Sequence, residues 1–107
     1  MHLTLRQLKV FESVARHLNY TRAAEELHLT QPAVSMQVRQ LEDSLGVSLF
    51  EQLGKRIHLT EAGTEVLAYA RTITQQLDEL EAVLNRIKGL SGGRLRISVA
   101  KTANYFI

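Results

Sequence analysis

The sequence lacks cysteine altogether, and this absence excludes several kinds of chemistry. The chain can form no disulfide, hold no thiolate-bound metal and carry no cysteine nucleophile. Its four histidines show no ligand spacing such as H-x-x-x-H, so we expect no metal site. No apolar run approaches the roughly 20 residues of a membrane span, and the start lacks the charged-then-apolar pattern of a signal peptide. We therefore expect a cytoplasmic protein.

An excess of charge of one sign is also missing. Thirteen Lys and Arg residues against eleven Asp and Glu residues give a formal net charge of only +2. An imbalance this small is weak support for a polyanionic partner. The arrangement of the residues must therefore decide whether the chain binds nucleic acid.

Helical spacing of apolar residues predicts a first helix from Thr4 to His17. Thr4 and Gln7 form a capping-box pattern. An apolar stripe follows at Leu8, Phe11, Ala15 and Leu18. Thr21 is the expected N-cap of a second, short helix over residues 22–28, whose inward positions are Ala23, Ala24 and Leu27. The two alanines allow another helix to approach closely.

A tight connection at residues 29–30 leads into a predicted third helix. Thr30 is its expected N-cap, and Pro32, the only proline, lies in the first turn, where a missing N–H costs nothing. Gly46 is the expected C-terminal stop. The inward face consists of Val34, Val38, Leu41 and Leu45. The opposite face is polar, with no acid before Glu42, and carries Gln31, Ser35, Met36, Gln37, Arg39 and Gln40.

Residues 48–59 contain two short apolar runs around Gly54-Lys55, a pattern typical of a β-hairpin. The tip Gly54-Lys55-Arg56 is a compact positive point. One interpretation is a wing that touches the DNA backbone or enters the minor groove. The alternative is a solvated turn.

The clearest periodicity lies in a long helix, capped by Thr60 with Glu61 in its first turn and predicted to reach about Gly89. Its a/d seam is Val66, Ala70, Ile73, Leu77, Leu80, Leu84 and Ile87. Packing on the chain's own domain would explain residues 66–73 but not 77–87. We therefore expect this seam to pair with a second copy, in a direction that the spacing leaves open.

Gly-Leu-Ser-Gly-Gly at residues 89–93 predicts a break in the helix, and residues 94–100 alternate like a strand. One strand cannot stand alone, so we expect a truncated second, α/β domain. The expected fold class is all-α with a small β-hairpin. A winged helix-turn-helix at 1–59 is followed by a linker and dimerisation helix at 60–89, and by a hinge and first strand at 90–107.

The predicted second and third helices are joined by a tight turn and have small residues between them. This geometry places the later helix of the pair, the third of the chain, in a DNA major groove. Gln31 and Gln37 are candidates for pairing with adenine, and Ser35 for a base or a phosphate. Further candidate DNA contacts are thymine-methyl contacts from Ala33 and Met36, phosphate contacts from the cap residues Thr21 and Thr30, and the cations Arg22 and Arg39. The alternative is that this polar face of the third helix is an ordinary solvent-exposed surface that does not contact DNA.

The sequence resembles the LysR-type transcriptional regulators along essentially its whole length. The matching residues are Ala23-Ala24-Glu25-Glu26-Leu27, Gln31-Pro32-Ala33-Val34-Ser35, Leu41-Glu42, Leu45-Gly46, Leu49-Phe50-Glu51 and Leu59-Thr60-Glu61-Ala62-Gly63. Within the family, Phe50-Glu51-Gln52-Leu53-Gly54-Lys55 is most similar to regulators of carbon-fixation (Calvin-cycle, RuBisCO) operons.

The resemblance implies a bacterial, nucleoid-associated homodimer, often paired into tetramers, on an interrupted palindrome that begins with T and ends with A. It also implies a small-metabolite co-inducer on a C-terminal domain, and RNA polymerase is a possible partner. The base-reading region carried over by position is Gln31, Pro32, Ala33, Ser35, Met36 and Gln37. Three residues depart from the family pattern, since Gln52, Lys55 and Met36 stand where many members carry arginine.

The sequence gives little support for an enzymatic function, because it has no Gly-rich phosphate loop, no paired-carboxylate site and no nucleophile with an arranged base. The serious alternative is a winged helix used for protein–protein assembly through the long helix. Salt dependence separates the two functions, because screening of phosphate contacts weakens DNA binding steeply.

Overall fold

The computed structural model describes residues 1–92 and contains four helices and one hairpin within that range. The elements are α1 (Leu5–His17), α2 (Tyr20–Leu27), α3 (Gln31–Leu45), β1 (Phe50–Leu53), β2 (Arg56–Leu59) and α4 (Glu61–Gly92). This order confirms the predicted fold class. Met1–Thr72 forms one compact unit, and a second unit begins at Ile73. The strand predicted at 94–100 lies outside the described residues.

The helix starts follow the predicted cap chemistry with one exception. Thr4 Oγ1 accepts a hydrogen bond from Gln7 N at 3.0 Å, and Gln7 Oε1 accepts one from Thr4 N at 3.1 Å, which confirms the capping box. Thr30 Oγ1 caps α3 by accepting from Ala33 N. The prediction that Thr21 caps α2 is wrong. Because α2 begins at Tyr20, its cap is the preceding residue, Asn19, whose Oδ1 accepts from Arg22 N at 2.8 Å.

The ends of α1 and α2 show why one predicted inward residue is wrong. Leu18 and His28 both take the left-handed conformation, at φ 50° and 58°, and end their helices without glycine. At this position the Leu18 side chain is 45% exposed, although the apolar stripe placed it inside. The turn from α2 to α3 is closed by Leu29 N, which donates to Ala24 O at 3.0 Å.

The core of the first unit lies between α1, α2 and α3 and extends to the hairpin. Phe11 is fully buried, and its ring centroid lies 5.3 Å from that of Phe50. The Tyr20 ring packs edge-on against the Phe50 ring, with 6.1 Å between the centroids. The predicted inward positions of α2 and α3 all contact the core: Leu27 and Leu45 are partly buried, and the following are buried, namely Ala23, Ala24, Val34, Val38 and Leu41. A buried aromatic of this kind stabilises the fold by roughly 2–3 kcal/mol.

A short segment between α3 and β1 is held by groups from both neighbouring helices. Glu42 Oε2 accepts from Leu49 N at 2.8 Å and from Phe50 N at 3.4 Å. Leu49 O accepts from Thr60 N at 3.0 Å, and Thr60 Oγ1 donates to Ser48 O at 2.6 Å. We call the six residues Glu42, Ser48, Leu49, Phe50, Thr60 and Gly63 the hairpin junction.

The first turn of α4 completes the hairpin junction through its glycine. Thr60 Oγ1 accepts from Gly63 N at 2.9 Å, which confirms Thr60 as the cap. A Cβ added to Gly63 would lie 2.1 Å from Leu49 O and 2.9 Å from Leu59 Cδ2. Only a residue without a side chain allows the helix to approach the backbone this closely.

The long helix is continuous to Gly92, three residues beyond the end predicted at about Gly89, and Gly93, the last residue of the predicted break, lies outside the described residues. One glycine costs a helix only about 1 kcal/mol, too little to end it by itself. No helix within residues 1–92 is both long and apolar enough to cross a membrane. Ala70 is fully buried and Val66 half-buried in the core of their own unit, as the alternative interpretation of the first part of the seam expects. Leu67, which the seam omitted, is also buried.

An ion-pair cluster joins α1 to α2. The Arg16 guanidinium donates two hydrogen bonds of 2.8 Å to the carboxylate of Glu26 and two more to Glu12. His17 also contacts Glu26. The Arg16 guanidinium lowers the pKa of Glu26 from its ordinary 4.5 to about 2, against the opposing effect of partial burial. Because the folded-state pKa is depressed, the resulting stability is present above pH 4.5 and lost as pH falls toward 2.

We expect Gly63→Ala to lower the free energy of unfolding by about 3 kcal/mol or more, because the new methyl group overlaps a backbone oxygen that cannot move freely. Urea denaturation followed by circular dichroism measures this. Glu65→Ala, at an exposed position in the same helix, is the control and should change the value by less than about 0.5 kcal/mol. A Gly63→Ala protein as stable as the wild type would contradict the close approach.

We expect Glu26→Gln to reduce stability above pH 5 and to converge on the wild type as pH falls from about 4.5 to 2, where Glu26 itself becomes protonated. Thermal unfolding across this pH range provides the measurement. Glu25→Gln removes the same charge from an adjacent exposed position and controls for net charge. A difference from the wild type that stays constant down to pH 2 would show that Arg16 does not hold the carboxylate.

Candidate nucleic-acid interface

The polar face of α3 is open to solvent along the predicted base-reading region. Gln31, Pro32, Met36 and Arg39 are exposed, and these residues are half-buried: Ala33, Ser35 and Gln37. Met36 is 59% exposed, which is unusual for a large apolar side chain and leaves its thioether free to contact a ligand. From Gln31 to Leu41 the helix carries no carboxylate, so nothing on this stretch would repel a phosphate.

Gln31 and Ser35 are joined on the α3 surface by a hydrogen bond. Gln31 Nε2 donates to Ser35 Oγ at 3.1 Å, one helical turn away. The bond leaves Gln31 with its carbonyl oxygen and a second amide N–H, which are the two groups that pair with the edge of an adenine. It also leaves the Ser35 hydroxyl proton available for donation. The pair is therefore oriented before any ligand arrives.

The candidate phosphate-contacting residues of α2 lie on a separate depression of the surface. Thr21 and Arg22 line it together with the acids Glu25 and Glu26 and the residues His17 and Asn19. Thr30 is exposed, but its hydroxyl oxygen already accepts the bond from Ala33 N. Thr21, freed from the cap position that the sequence suggested, is exposed in the first turn of α2.

The hairpin presents its two cations at the tip. Gly54 has φ +66°, a left-handed conformation that glycine adopts without strain, and the exposed residues Lys55 and Arg56 follow it. Gln52, where the family resemblance led us to expect an arginine, bends back and donates to Gly54 O at 3.4 Å. Gln52 is exposed, with its amide bonded to the turn.

Two charged residues of α3 act on the half-buried aromatic Tyr20. Burial raises the pKa of Tyr20, and the carboxylate of Glu42 raises it further, while the Arg39 cation opposes the shift. The Arg39 and Glu42 charges therefore both act on the Tyr20 ring that packs on Phe50. The sequence pattern predicts Arg39 as a cation on the polar face of α3 and indicates no role for Glu42.

A second surface lies on the later part of α4. Five apolar side chains between residues 73 and 87 are exposed, namely Ile73, Leu80, Val83, Leu84 and Ile87, and Leu77 is half-buried. Tyr69 is 70% exposed in the turn before them. The a/d spacing missed Tyr69 and Val83, because they flank the seam. No group of three His, Cys, Asp or Glu residues within residues 1–92 is arranged to hold a metal ion.

Comparison with known proteins identifies the family. Residues 5–64 match the family described as bacterial regulatory helix-turn-helix protein, lysR family. The chain is 69% identical over 106 residues to the RuBisCO operon transcriptional regulator of Allochromatium vinosum, covering 99% of this chain and 35% of that protein. It thus spans about a third of the length of the curated relatives it matches.

Solved structures with a similar fold include two DNA complexes. The structure titled CbnR_DBD-DNA complex has 35% identity and a TM-score of 0.70, covering 86% of this chain and all of that chain. The complex of BenM_DBD with catB site 1 DNA has 30% identity and a TM-score of 0.75, covering 79% and 94%. With a family match over more than half of its residues, this chain belongs to the LysR family of bacterial regulatory helix-turn-helix proteins.

Proposed function

We propose that the chain binds a palindromic promoter site as a homodimer and takes part in the control of carbon-fixation genes. The observation that carries the proposal is the solvent-open, acid-free face of α3 inside the segment that matches the family. A relative that is 69% identical is named for the RuBisCO operon, and two similar structures hold DNA. The DNA site is therefore expected in promoters of RuBisCO operons, as an interrupted palindrome beginning with T and ending with A.

In this proposal the N-terminal half of α3 enters the major groove. Gln31, held by Ser35, pairs with the edge of an adenine, and Gln37 offers a second amide one and a half turns later. Ala33 and the exposed Met36 contact thymine methyl groups. Pro32 lies in the first turn of the helix, where its missing N–H leaves no donor without a partner.

Phosphate contacts hold the helix in register without reading sequence. Lys55 and Arg56 at the hairpin tip are the cations of the wing, with the exposed amide of Gln52 beside them. From the helices come Arg22, Arg39 and the hydroxyl groups of Thr21 and Thr30. Since each phosphate contact releases counterions, these residues determine how strongly salt weakens binding.

The direct test is fluorescence anisotropy with a labelled duplex that carries the palindrome of a RuBisCO-operon promoter. A scrambled duplex of the same composition is the control, and both are titrated from about 50 to 200 mM salt, a range over which several phosphate contacts cost orders of magnitude in affinity. The proposal expects tight, salt-sensitive binding that prefers the palindrome. Equal binding to both duplexes would remove the proposed target, and no binding at low salt would favour a protein–protein assembly module.

Gln31→Ala should weaken binding to the palindrome by about 1–3 kcal/mol and relax the preference at one base pair, because a bidentate contact is lost. Competition between duplexes changed at single positions locates that base pair. Gln76→Ala removes an exposed amide from α4 and should leave affinity unchanged. Unaltered affinity and preference in Gln31→Ala would remove Gln31 from base reading.

We further propose that the exposed part of the α4 seam is the dimer interface. The side chains that contribute are Ile73, Leu77, Leu80, Leu84 and Ile87, joined by Tyr69 and Val83 at the edges of the seam. Val66 and Ala70 pack in the core of their own unit and are not part of this exposed stripe. A contiguous apolar stripe on a helix is costly to leave in water, and a second copy offers the matching stripe.

Leu80→Asp should convert the dimer into a monomer, because a two-fold interface meets the new charge twice. Loss of a buried leucine in each copy weakens association by about 3 kcal/mol or more, which is over a hundredfold in the dissociation constant. Analytical ultracentrifugation measures it, with Gln76→Asp adding the same charge at an exposed polar position as the control. An intact Leu80→Asp dimer would place the interface elsewhere.

The other partners implied by the resemblance stay predictions. They are a small-metabolite co-inducer on a C-terminal domain, assembly into tetramers and contact with RNA polymerase. The relatives that the chain matches are named as transcriptional regulators, and we propose no catalytic role for the described residues.

A further inference from the structure

We infer that Glu42 is a positioning residue that fixes the hairpin relative to α3, so that the helix face and the hairpin tip reach DNA together. The inference rests on the proposed function, since it concerns how two DNA-contacting surfaces are held in one geometry. Glu42 itself faces the interior and the backbone of the hairpin junction, so it is not one of the groups that contact DNA.

The geometry of Glu42 joins two elements that carry different contacts. The residue lies in the last turn of α3, on the same rigid helix as Gln31, Ser35 and Gln37. Its carboxylate oxygen accepts from the N–H groups of Leu49 and Phe50, at the start of β1. Hydrogen bonds to a charged acceptor are stronger than neutral ones, and this one is half-buried, where water competes less.

The exit of the hairpin is fixed to the same few atoms. Thr60, directly after β2, donates its N–H to Leu49 O and its hydroxyl to Ser48 O. Phe50 pairs with Leu59 across the antiparallel hairpin, so β1 begins and β2 ends at this point. A rotation of the Leu49 backbone would therefore swing the whole hairpin, and the tip cations Lys55 and Arg56 would move furthest.

Packing alone does not specify this orientation as tightly. Leu49 and Phe50 are buried, but apolar contacts are non-directional and tolerate small rotations of the backbone. Hydrogen bonds to two successive N–H groups fix the direction in which that backbone points. Removal of the Glu42 carboxylate should thus leave the core largely in place but allow the orientation of the hairpin relative to α3 to vary.

The test compares Glu42→Ala, Lys55→Ala/Arg56→Ala and the combined triple variant of this 107-residue chain by anisotropy across a salt series. Loss of the two tip cations from each protomer removes about four phosphate contacts from the proposed dimer, so it should weaken binding at least about tenfold and make the salt slope shallower by about 3.6, since each contact contributes about 0.9. Glu42→Ala should reproduce both effects, and the triple variant should be no weaker than either. Independent effects that multiply in the triple variant would overturn the inference.

Two further variants separate positioning from stability and from charge. Glu42→Gln keeps one oxygen acceptor and should remain within about threefold of the wild type with its salt slope intact, because an amide oxygen still accepts from a backbone N–H. Asp43→Ala removes the same charge from the next, exposed position and should keep the full salt slope. A Glu42→Gln slope as shallow as that of Glu42→Ala, or an Asp43→Ala slope as shallow, would also overturn the inference.

A measurement without DNA distinguishes failure of this inference from failure of the proposed function. Amide hydrogen exchange should show Leu49 N–H protected in the wild type and in Glu42→Gln, and at least about tenfold faster in Glu42→Ala while core amides of α1 stay protected. Unchanged Leu49 exchange would overturn the positioning role whatever the DNA result. Protected Leu49 exchange in a wild type that binds no DNA would overturn the proposed function and leave Glu42 with a structural role only.

Discussion

The backbone of Leu49 is the point at which the first unit is held together. Its N–H is bound by Glu42 from α3, its carbonyl by Thr60 at the start of α4, and the same carbonyl leaves no room for a side chain at Gly63. Its own side chain is fully buried. Residues from two helices, α3 and the start of α4, thus converge on one peptide segment. A buried backbone group without a partner would be costly, so each of these partners is needed.

This constraint gives the two candidate DNA surfaces a common base. Within residues 1–92, no described hydrogen bond joins the polar face of α3 to the cations of the hairpin tip. Both surfaces nevertheless extend from the hairpin junction. The Phe11, Tyr20 and Phe50 rings fill the space beneath it. A recognition helix and a wing need a fixed spacing to meet adjacent grooves of one duplex, and rigid packing under both provides it. The exposed apolar stripe of α4 is a separate surface, for which pairing with a second copy is the proposed role.

Much of this arrangement follows from local sequence. Thr4 and Thr30 indicate the starts of helices because their side-chain oxygens can accept a hydrogen bond from the N–H three residues later. Gly54-Lys55 indicates the hairpin because glycine adopts the left-handed conformation of the turn. The errors are equally local in origin. Asn19 and Thr21 are both good caps, and the choice between them depends on where the preceding helix ends. Leu18 ends that helix in a left-handed conformation that nothing in its side chain signals. Gly89 looked like a stop, but a glycine inside an otherwise favourable helix is tolerated.

By itself, the sequence determined the order of the elements, the inward positions of α2 and α3, the polar face of α3 and the family, because each depends on spacing within a short stretch of chain. Only the tertiary structure decided which part of the α4 seam is already occupied, that Gln31 is bonded to Ser35, and that Glu42 binds the backbone seven and eight residues ahead. These features depend on the path of the chain between elements. A periodic pattern records which face of a helix is apolar, but it carries no information about what that face meets.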